Sequence, residues 1–185
     1  MRKTLLLDCD GVTADFALHT FNALPGLGVP PVTWEHFTRA WDIIEAVGTQ
    51  HQEAIEAYWA AQGWCESIPL YAGAQEGVAA LQEVADVYFV TTQMTHAPYW
   101  MWERMQWLKK HFAVDDRHVV FTLSKHLVLG DMLIDDKPSN VASWCKSHPT
   151  KQGVLWDQPF NRSAEVPVGA TRIGSWERVL SLLSE

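Results

Sequence analysis

Short apolar runs recur along the chain, and each one ends in polar side chains. Leu5-Leu6-Leu7 runs into Asp8-Cys9-Asp10-Gly11, Val87-Tyr88-Phe89-Val90 into Thr91-Thr92, and Val119-Val120-Phe121-Thr122 toward Ser124 and Lys125. Met132-Leu133-Ile134 runs into Asp135-Asp136-Lys137-Pro138, and Gly153-Val154-Leu155-Trp156 closes the series. Apolar runs of this length, bounded by turn residues, predict buried strands. Between them the apolar positions change to helical spacing. Phe16, Phe21 and Leu24 mark a short helix, 74–84 reads as an amphipathic helix, and 98–111 carries Trp100, Arg104, Trp107 and His111 on one stripe. Residues 140–146 and 176–183 complete the set, with 127–129 on the approach to the fourth strand. Strands alternating with helices predict an α/β fold, a doubly wound parallel sheet covered on both faces.

One stretch departs from this alternation. Pro25-Gly26-Leu27-Gly28-Val29-Pro30-Pro31 is a break that neither a helix nor a central strand accepts. From Thr33, a plausible helix cap, to Gln62 the pattern is helical throughout, with Trp34, Phe37 and Trp41 and then Ile55, Tyr58 and Trp59 at helical spacing. A helical piece thus stands where a tight strand-to-helix connection belongs. Residues 25–71 are expected to form a small inserted helical cap, and 1–24 with 72–185 the α/β core.

Composition narrows the field. At 185 residues the chain suffices for one domain with an inserted lobe. A net charge of −8 disfavours an extended grip on nucleic acid, though it allows a local basic pocket for one phosphate. The three cysteines, Cys9, Cys65 and Cys145, form no CxxC pair, so reduced thiols in a cytoplasmic protein are expected. The first apolar run is interrupted by Asp8 too early for a signal peptide or a membrane span. Ten tryptophans without a basic stripe read as packing residues, and eight histidines show no paired-ligand spacing. No GxxxxGK[ST] loop is present.

The candidate chemistry lies at the ends of the apolar runs. Asp8 and Asp10 repel at close range unless a cation lies between them or one carries a proton, so the pair implies a hard metal ion or proton transfer. A bare DxDG also suits a solvated turn, and threonines or a lysine after a strand are commonplace. In an open α/β sheet, however, the carboxyl ends of the strands meet in one crevice, which would bring Asp8, Asp10, Thr91, Thr92, Lys125, Asp135 and Asp136 together.

The order Asp8-Cys9-Asp10-Gly11-Val12, Val90-Thr91-Thr92, Lys125 and Leu133-Ile134-Asp135-Asp136 resembles the four-motif signature of the haloacid dehalogenase (HAD) superfamily of phosphatases. Within it, the stretches from Asp8 to Phe16 and from Ser124 to Lys137, and the turn Gln158-Pro159-Phe160-Asn161-Arg162, are most similar to the 5'(3')-deoxyribonucleotidases. The resemblance implies Asp8 as nucleophile and Asp10 as general acid and base. It implies magnesium held by Asp8, the Asp10 carbonyl and Asp136, with Asp135 in support. Lys125 and Thr91 would attend the phosphoryl oxygens. Thr92 and Arg104 stand where the family commonly has serine and lysine, as further phosphate contacts. Phe16, Trp59, Trp64 and Lys137 are the candidates near sugar and base, Phe16 tolerating a 2'-deoxy carbon or serving only as hinge core. The implied partner is a small deoxynucleotide, with no membrane and no extended nucleic acid, and a homodimer is one assembly consistent with the family. Another small phosphomonoester, a nucleic-acid 3'-phosphate end, or a nucleotide-binding protein without turnover are the alternative readings.

Overall fold

The structure, a computed structural model, describes residues 2–184. Its centre is a six-stranded, all-parallel sheet of β1 (Lys3–Leu7), β2 (Ala85–Thr91), β3 (Val119–Phe121), β4 (Met132–Asp135), β5 (Gln152–Trp156) and β6 (Ala170–Ile173), in the order β3-β2-β1-β4-β5-β6. Chain progression reverses between β1 and β4, so the loops leaving these two strands diverge to opposite sides and open a crevice at their carboxyl ends.

Side-chain alternation divides the core in two. Leu5, Leu7, Val87 and Phe89 face one side, where they pack with Val78 and Leu81 of helix α5 (Ala74–Val84), Trp107 and Leu108 of α6 (Trp100–Phe112) and Val179 of α8 (Trp176–Ser184). Leu6, Val90, Leu133 and Leu155 face the other, against Val141, Trp144 and Cys145 of α7 (Pro138–Ser147). This is the doubly wound parallel sheet that the alternation predicts.

The segment between β1 and α5 holds four short helices, α1 (Phe16–Ala23), α2 (Trp34–Phe37), α3 (Ile43–Val47) and α4 (Gln52–Trp59). The helical pattern from 33 to 62 is therefore broken rather than continuous. Thr33 does cap α2, its hydroxyl accepting from the His36 N–H. Asp42 then caps a new helix by accepting from the Ile44 and Glu45 N–H groups, and Gly48 at φ +99° ends it in a conformation unsuited to other residues. Phe37, Ile44, Val47 and Ile55 form a separate small core with Ala17 from the start of α1 and Leu24 just beyond its end. The two ends of the segment are tied together: the Asp15 N–H donates to the Pro69 carbonyl and the Tyr71 N–H to that of Thr13.

Two further differences are local. Strand β6 lacks a sequence signature because it is an edge strand of which only Ile173 is buried. Leu127, expected on the approach to β4, ends a 3-10 turn over Lys125–Leu127. Among the described residues no helix is long and apolar enough to cross a membrane.

Candidate active site

The loops after β1 and β4 meet at three aspartates. Carboxylate oxygens of Asp8, Asp135 and Asp136 lie within 4.8 Å of one another, and all three residues are buried. Asp8 continues the ladder one step beyond β1, its N–H donating to the Ile134 carbonyl at 2.9 Å, so register with β4 fixes where its side chain leaves the sheet. Its Oδ1 accepts from the Cys9 N–H and from Lys125 Nζ, each at 2.7 Å. Cys9 itself points into the core and is fully buried, as alternation predicts.

Asp135 and Asp136 are neighbours in sequence with opposite circumstances. Asp135 is saturated by protein donors: Lys125 Nζ at 2.7 Å, the Lys137 N–H at 2.8 Å and Asn140 Nδ2 at 3.1 Å. Asp136 Oδ1 is buried without a hydrogen-bond partner. Its other oxygen abuts Gly11, where a Cβ would stand 1.7 Å away, and Gly11 has φ +77°. Only glycine permits both that conformation and that approach. Of the three carboxylates, Asp8 and Asp135 contact the single ammonium, and Asp136 does not. Burial, then the charges of Asp8 and Asp135, holds the Asp136 carboxyl well above the ordinary carboxylate range. Burial raises Asp8 too, against the opposing pull of Lys125. For Lys125, burial alone would lower its pKa, but Asp135 and Asp8 hold it above the usual lysine value. An orphaned oxygen among crowded buried carboxylates, beside a glycine that keeps the space open, fits a hard divalent cation.

Asp10 lies outside the trio. Its side chain is partly exposed at the cleft, and its Oδ1 accepts from Arg104 Nη2 at 2.6 Å. Arg104 is fully buried on α6, its guanidinium 5.0 Å from the Trp100 ring centroid and 5.2 Å from that of Trp107. The stripe predicted on this helix therefore sandwiches the cation and aims it at Asp10. Arg104, expected as a phosphate contact, is not among the residues lining the cleft: its Nη2 meets Asp10 and two indoles flank it, while its Nε and Nη1 are buried without hydrogen-bond partners. The threonines at the end of β2 also part company. Thr91 is fully buried on the side of Cys9, its hydroxyl without a hydrogen-bond partner, and it is absent from the cleft wall. Thr92, one residue on and facing the other way, lines the cleft.

The cleft encloses about 560 Å³, within the range of small-molecule sites. Asp8, Asp10, Lys125 and Asp136 form its floor, and Phe16, Trp41, Trp59, Trp100 and Phe160 much of its wall. Phe16 sits 5.2 Å from Trp59, ring centre to ring centre, and 5.1 Å from Trp64 in an edge-on contact. Trp64 is buried behind this wall, stacked on Trp100 at 5.7 Å, so it braces Phe16 instead of meeting the cleft as expected. Trp59 is on the wall with its indole N–H bonded to Thr20. Lys137 reaches the rim, its Nζ 5.4 Å from the centre of the Trp41 ring. Sequence reasoning missed Trp41, Phe160 and Asn140 as site residues; only Asn140, five residues after Asp135 at the start of a helix, has a local spacing that could have found it.

The parallel sheet with its switch point between β1 and β4 is the fold seen in solved HAD-like hydrolases. Solved structures agree with the fold. A HAD-like hydrolase from Streptococcus pneumoniae superimposes with TM-score 0.62 at 15% identity, covering 98% of both chains. The HAD hydrolase YfnB from Bacillus subtilis, whose structure was obtained bound to magnesium, gives 0.59 at 16% identity, covering 100% of this chain and 99% of that one. A family model described as 5' nucleotidase, deoxy (pyrimidine), cytosolic type C protein matches residues 2–184, and the chain belongs to that family of phosphoric monoester hydrolases. Relatives include the mitochondrial 5'(3')-deoxyribonucleotidase of Mus musculus, 28% identical over 93% of this chain and 80% of its own length. The 5'(3')-deoxyribonucleotidase of Bacillus subtilis is 25% identical over 97% of each, and the human cytosolic type 24% identical over 93% and 88%.

Proposed function

We propose that the chain is a magnesium-dependent nucleotidase that hydrolyses deoxyribonucleoside monophosphates, pyrimidines in particular, to the deoxynucleoside and phosphate. The observation that carries this reading is the buried trio Asp8, Asp135 and Asp136, balanced by one lysine, at the floor of an aromatic-walled cleft. Asp8, Asp136 and the Asp10 carbonyl would hold magnesium, while Asp135, already saturated, fixes Lys125. Bound there, the ion supplies positive charge to the phosphoryl oxygens and to Asp8.

Asp8 attacks phosphorus while the bond to the nucleoside oxygen breaks, and Asp10 delivers its proton to that oxygen. The product is an aspartyl phosphate on Asp8. Asp10, now ionised, takes a proton from a water that attacks the same phosphorus, releasing phosphate and restoring both carboxyl groups. Lys125 holds the Asp8 carboxylate in line and meets the negative oxygens, and Thr92 is the hydroxyl donor on the cleft wall. Arg104 keeps Asp10 aimed into the cleft. Residues 25–71 act as the cap that admits the ester, and Phe16 presents an apolar face that leaves a 2'-hydroxyl without a partner.

The test is a phosphatase panel on dUMP, dTMP and their ribo counterparts, with magnesium and with EDTA. Phosphate release from the deoxy compounds that disappears with EDTA is expected. Equal rates on both sugars would remove the deoxy preference, and no release from any nucleotide would remove the nucleotidase reading. The three buried free thiols suit a reducing compartment, and the cytoplasm is the one proposed.

A further inference from the structure

Beyond β5 the chain makes a tight turn over Pro159–Asn161, introduced by Gln158. Neither Gln158 nor Asn161 touches the reacting groups, yet both are buried and both reach out of the turn. Gln158 Nε2 donates to the Gly11 carbonyl at 2.7 Å, across 147 residues of sequence. Asn161 Nδ2 donates to the Asp136 carbonyl at 2.7 Å and to that of Trp156 at 2.8 Å. The Asn161 amide is in turn fixed from its oxygen, which accepts from Arg172 Nη1 at 2.6 Å and from the Gln158 N–H at 3.2 Å. Arg172 on β6 is itself held by Asp157 and by the Asn161 and Ala164 carbonyls.

We propose that Gln158 and Asn161 are positioning residues for the cation pocket, a clamp that sets the spacing of the loops after β1 and β4. The inference rests on the reading of that pocket as a magnesium site. A role confined to the turn accounts for the bonds to Trp156 and within the pair, but not for those to Gly11 and Asp136. Those two carbonyls belong to the loops that carry Asp10 and the unpaired Asp136 carboxylate, and to the two residues, Gly11 and Asp136, whose backbone and side chain are pressed together. Like charges at Asp8 and Asp136 push the loops apart, and the clamp opposes them with donors anchored on β5 and β6. Outer-sphere groups of this kind set metal affinity because they fix where the ligands stand before the ion arrives.

Two substitutions separate this role from turn stability. Asn161→Asp keeps the acceptor for Arg172 and removes both donors, and Gln158→Met removes, at similar volume, the bond to Gly11 together with the side-chain cap on the turn. Magnesium titration of the intact protein, followed by tryptophan fluorescence and by the rise in Tm, is the readout besides turnover. The half-saturating magnesium concentration is expected to rise about 10- to 100-fold in each. Should Asn161→Asp fail to fold, Gln158→Met decides the matter alone. A lowered Tm with a wild-type magnesium midpoint in Gln158→Met overturns the clamp and leaves a merely structural turn. A parent protein that shows no magnesium-dependent change overturns the magnesium reading, and the clamp with it.

Discussion

The floor of the cleft and its wall are held together by different forces. At the floor, Asp8 is placed by its register with β4, Lys125 is held by two carboxylates and Asp135 by three donors, while Asp136 keeps one oxygen unpartnered. The wall is built of rings, with Phe16 against Trp59 and Trp64, and Trp41 against Phe160. Buried charges tolerate little displacement, because an unpaired one is costly. Ring contacts are individually weak and indifferent to small shifts. The floor is therefore expected to govern the rate of the chemical steps, and the wall the affinity and choice of ester.

The largest effect that would sharpen this contrast is at Asp8. Asp8→Asn keeps the shape and removes the proposed nucleophile, and kcat is expected to fall by about 10⁴-fold or more, measured as phosphate release. Retained activity would move the nucleophile elsewhere. Lys125→Met comes next. It leaves Asp8 and Asp135 buried without their shared counter-charge, so a stability loss of about 3–5 kcal/mol in urea unfolding is expected. In protein that remains folded, kcat should drop about 10²- to 10³-fold, as when a positioned donor to a reacting oxygen is lost.

Asp136→Asn has the opposite sign for stability. Burial, Asp8 and Asp135 hold the Asp136 carboxyl above its unfolded value, so without metal the folded state binds more protons than the unfolded one once pH passes the ordinary carboxylate range. The contribution of Asp136 to stability is thus complete at low pH and falls as pH rises. Asparagine does not titrate, and the metal-free variant should exceed its parent in Tm by a few degrees, more at pH 8 than at pH 5. Its magnesium-dependent rise in Tm should vanish. A variant less stable than its parent at pH 8 would mean that the carboxylate is not crowded.

The same contrast decides what could be read from sequence. The strands are legible because burial on both faces leaves uninterrupted apolar runs, and their polar ends mark the crevice. Thr91 and Thr92 are adjacent, and which one meets the cleft depends on one step of register with Cys9, a detail the run of residues does not carry. Arg104 is a charge on an aromatic stripe; nothing local says that its partner is Asp10, 94 residues earlier. In the cap, helical spacing persists across Asp42 and Gly48, and only the capping geometry reveals three helices where one pattern runs. Trp41 and Phe160 come from distant segments, and their meeting is a matter of tertiary packing.

A smaller effect is expected from Arg104→Lys. Lysine keeps the charge but cannot lie flat between Trp100 and Trp107 while reaching Asp10. A misplaced acid slows the step it serves, by about 10- to 100-fold in kcat, with KM little changed. A change mainly in KM would return Arg104 to the phosphate.

The smallest effect tests the wall. Trp41 belongs to the cap segment, is 42% exposed, and meets the core through Phe160 at 5.2 Å and Lys137 at 5.4 Å. An edge-on ring pair and a half-buried cation over an indole are each worth under their fully buried values here, so Trp41→Ala should weaken this wall by about 1 kcal/mol. If the wall governs affinity alone, this appears as about a fivefold rise in KM with kcat within about twofold, because 1.4 kcal/mol is about tenfold. The ratio of deoxy to ribo rates should stay as in the parent, since Phe16, braced by Trp59 and Trp64, is untouched. A fall in kcat equal to the rise in KM would mean that closure of the cap also aligns the floor, and the division between the two regions would fail.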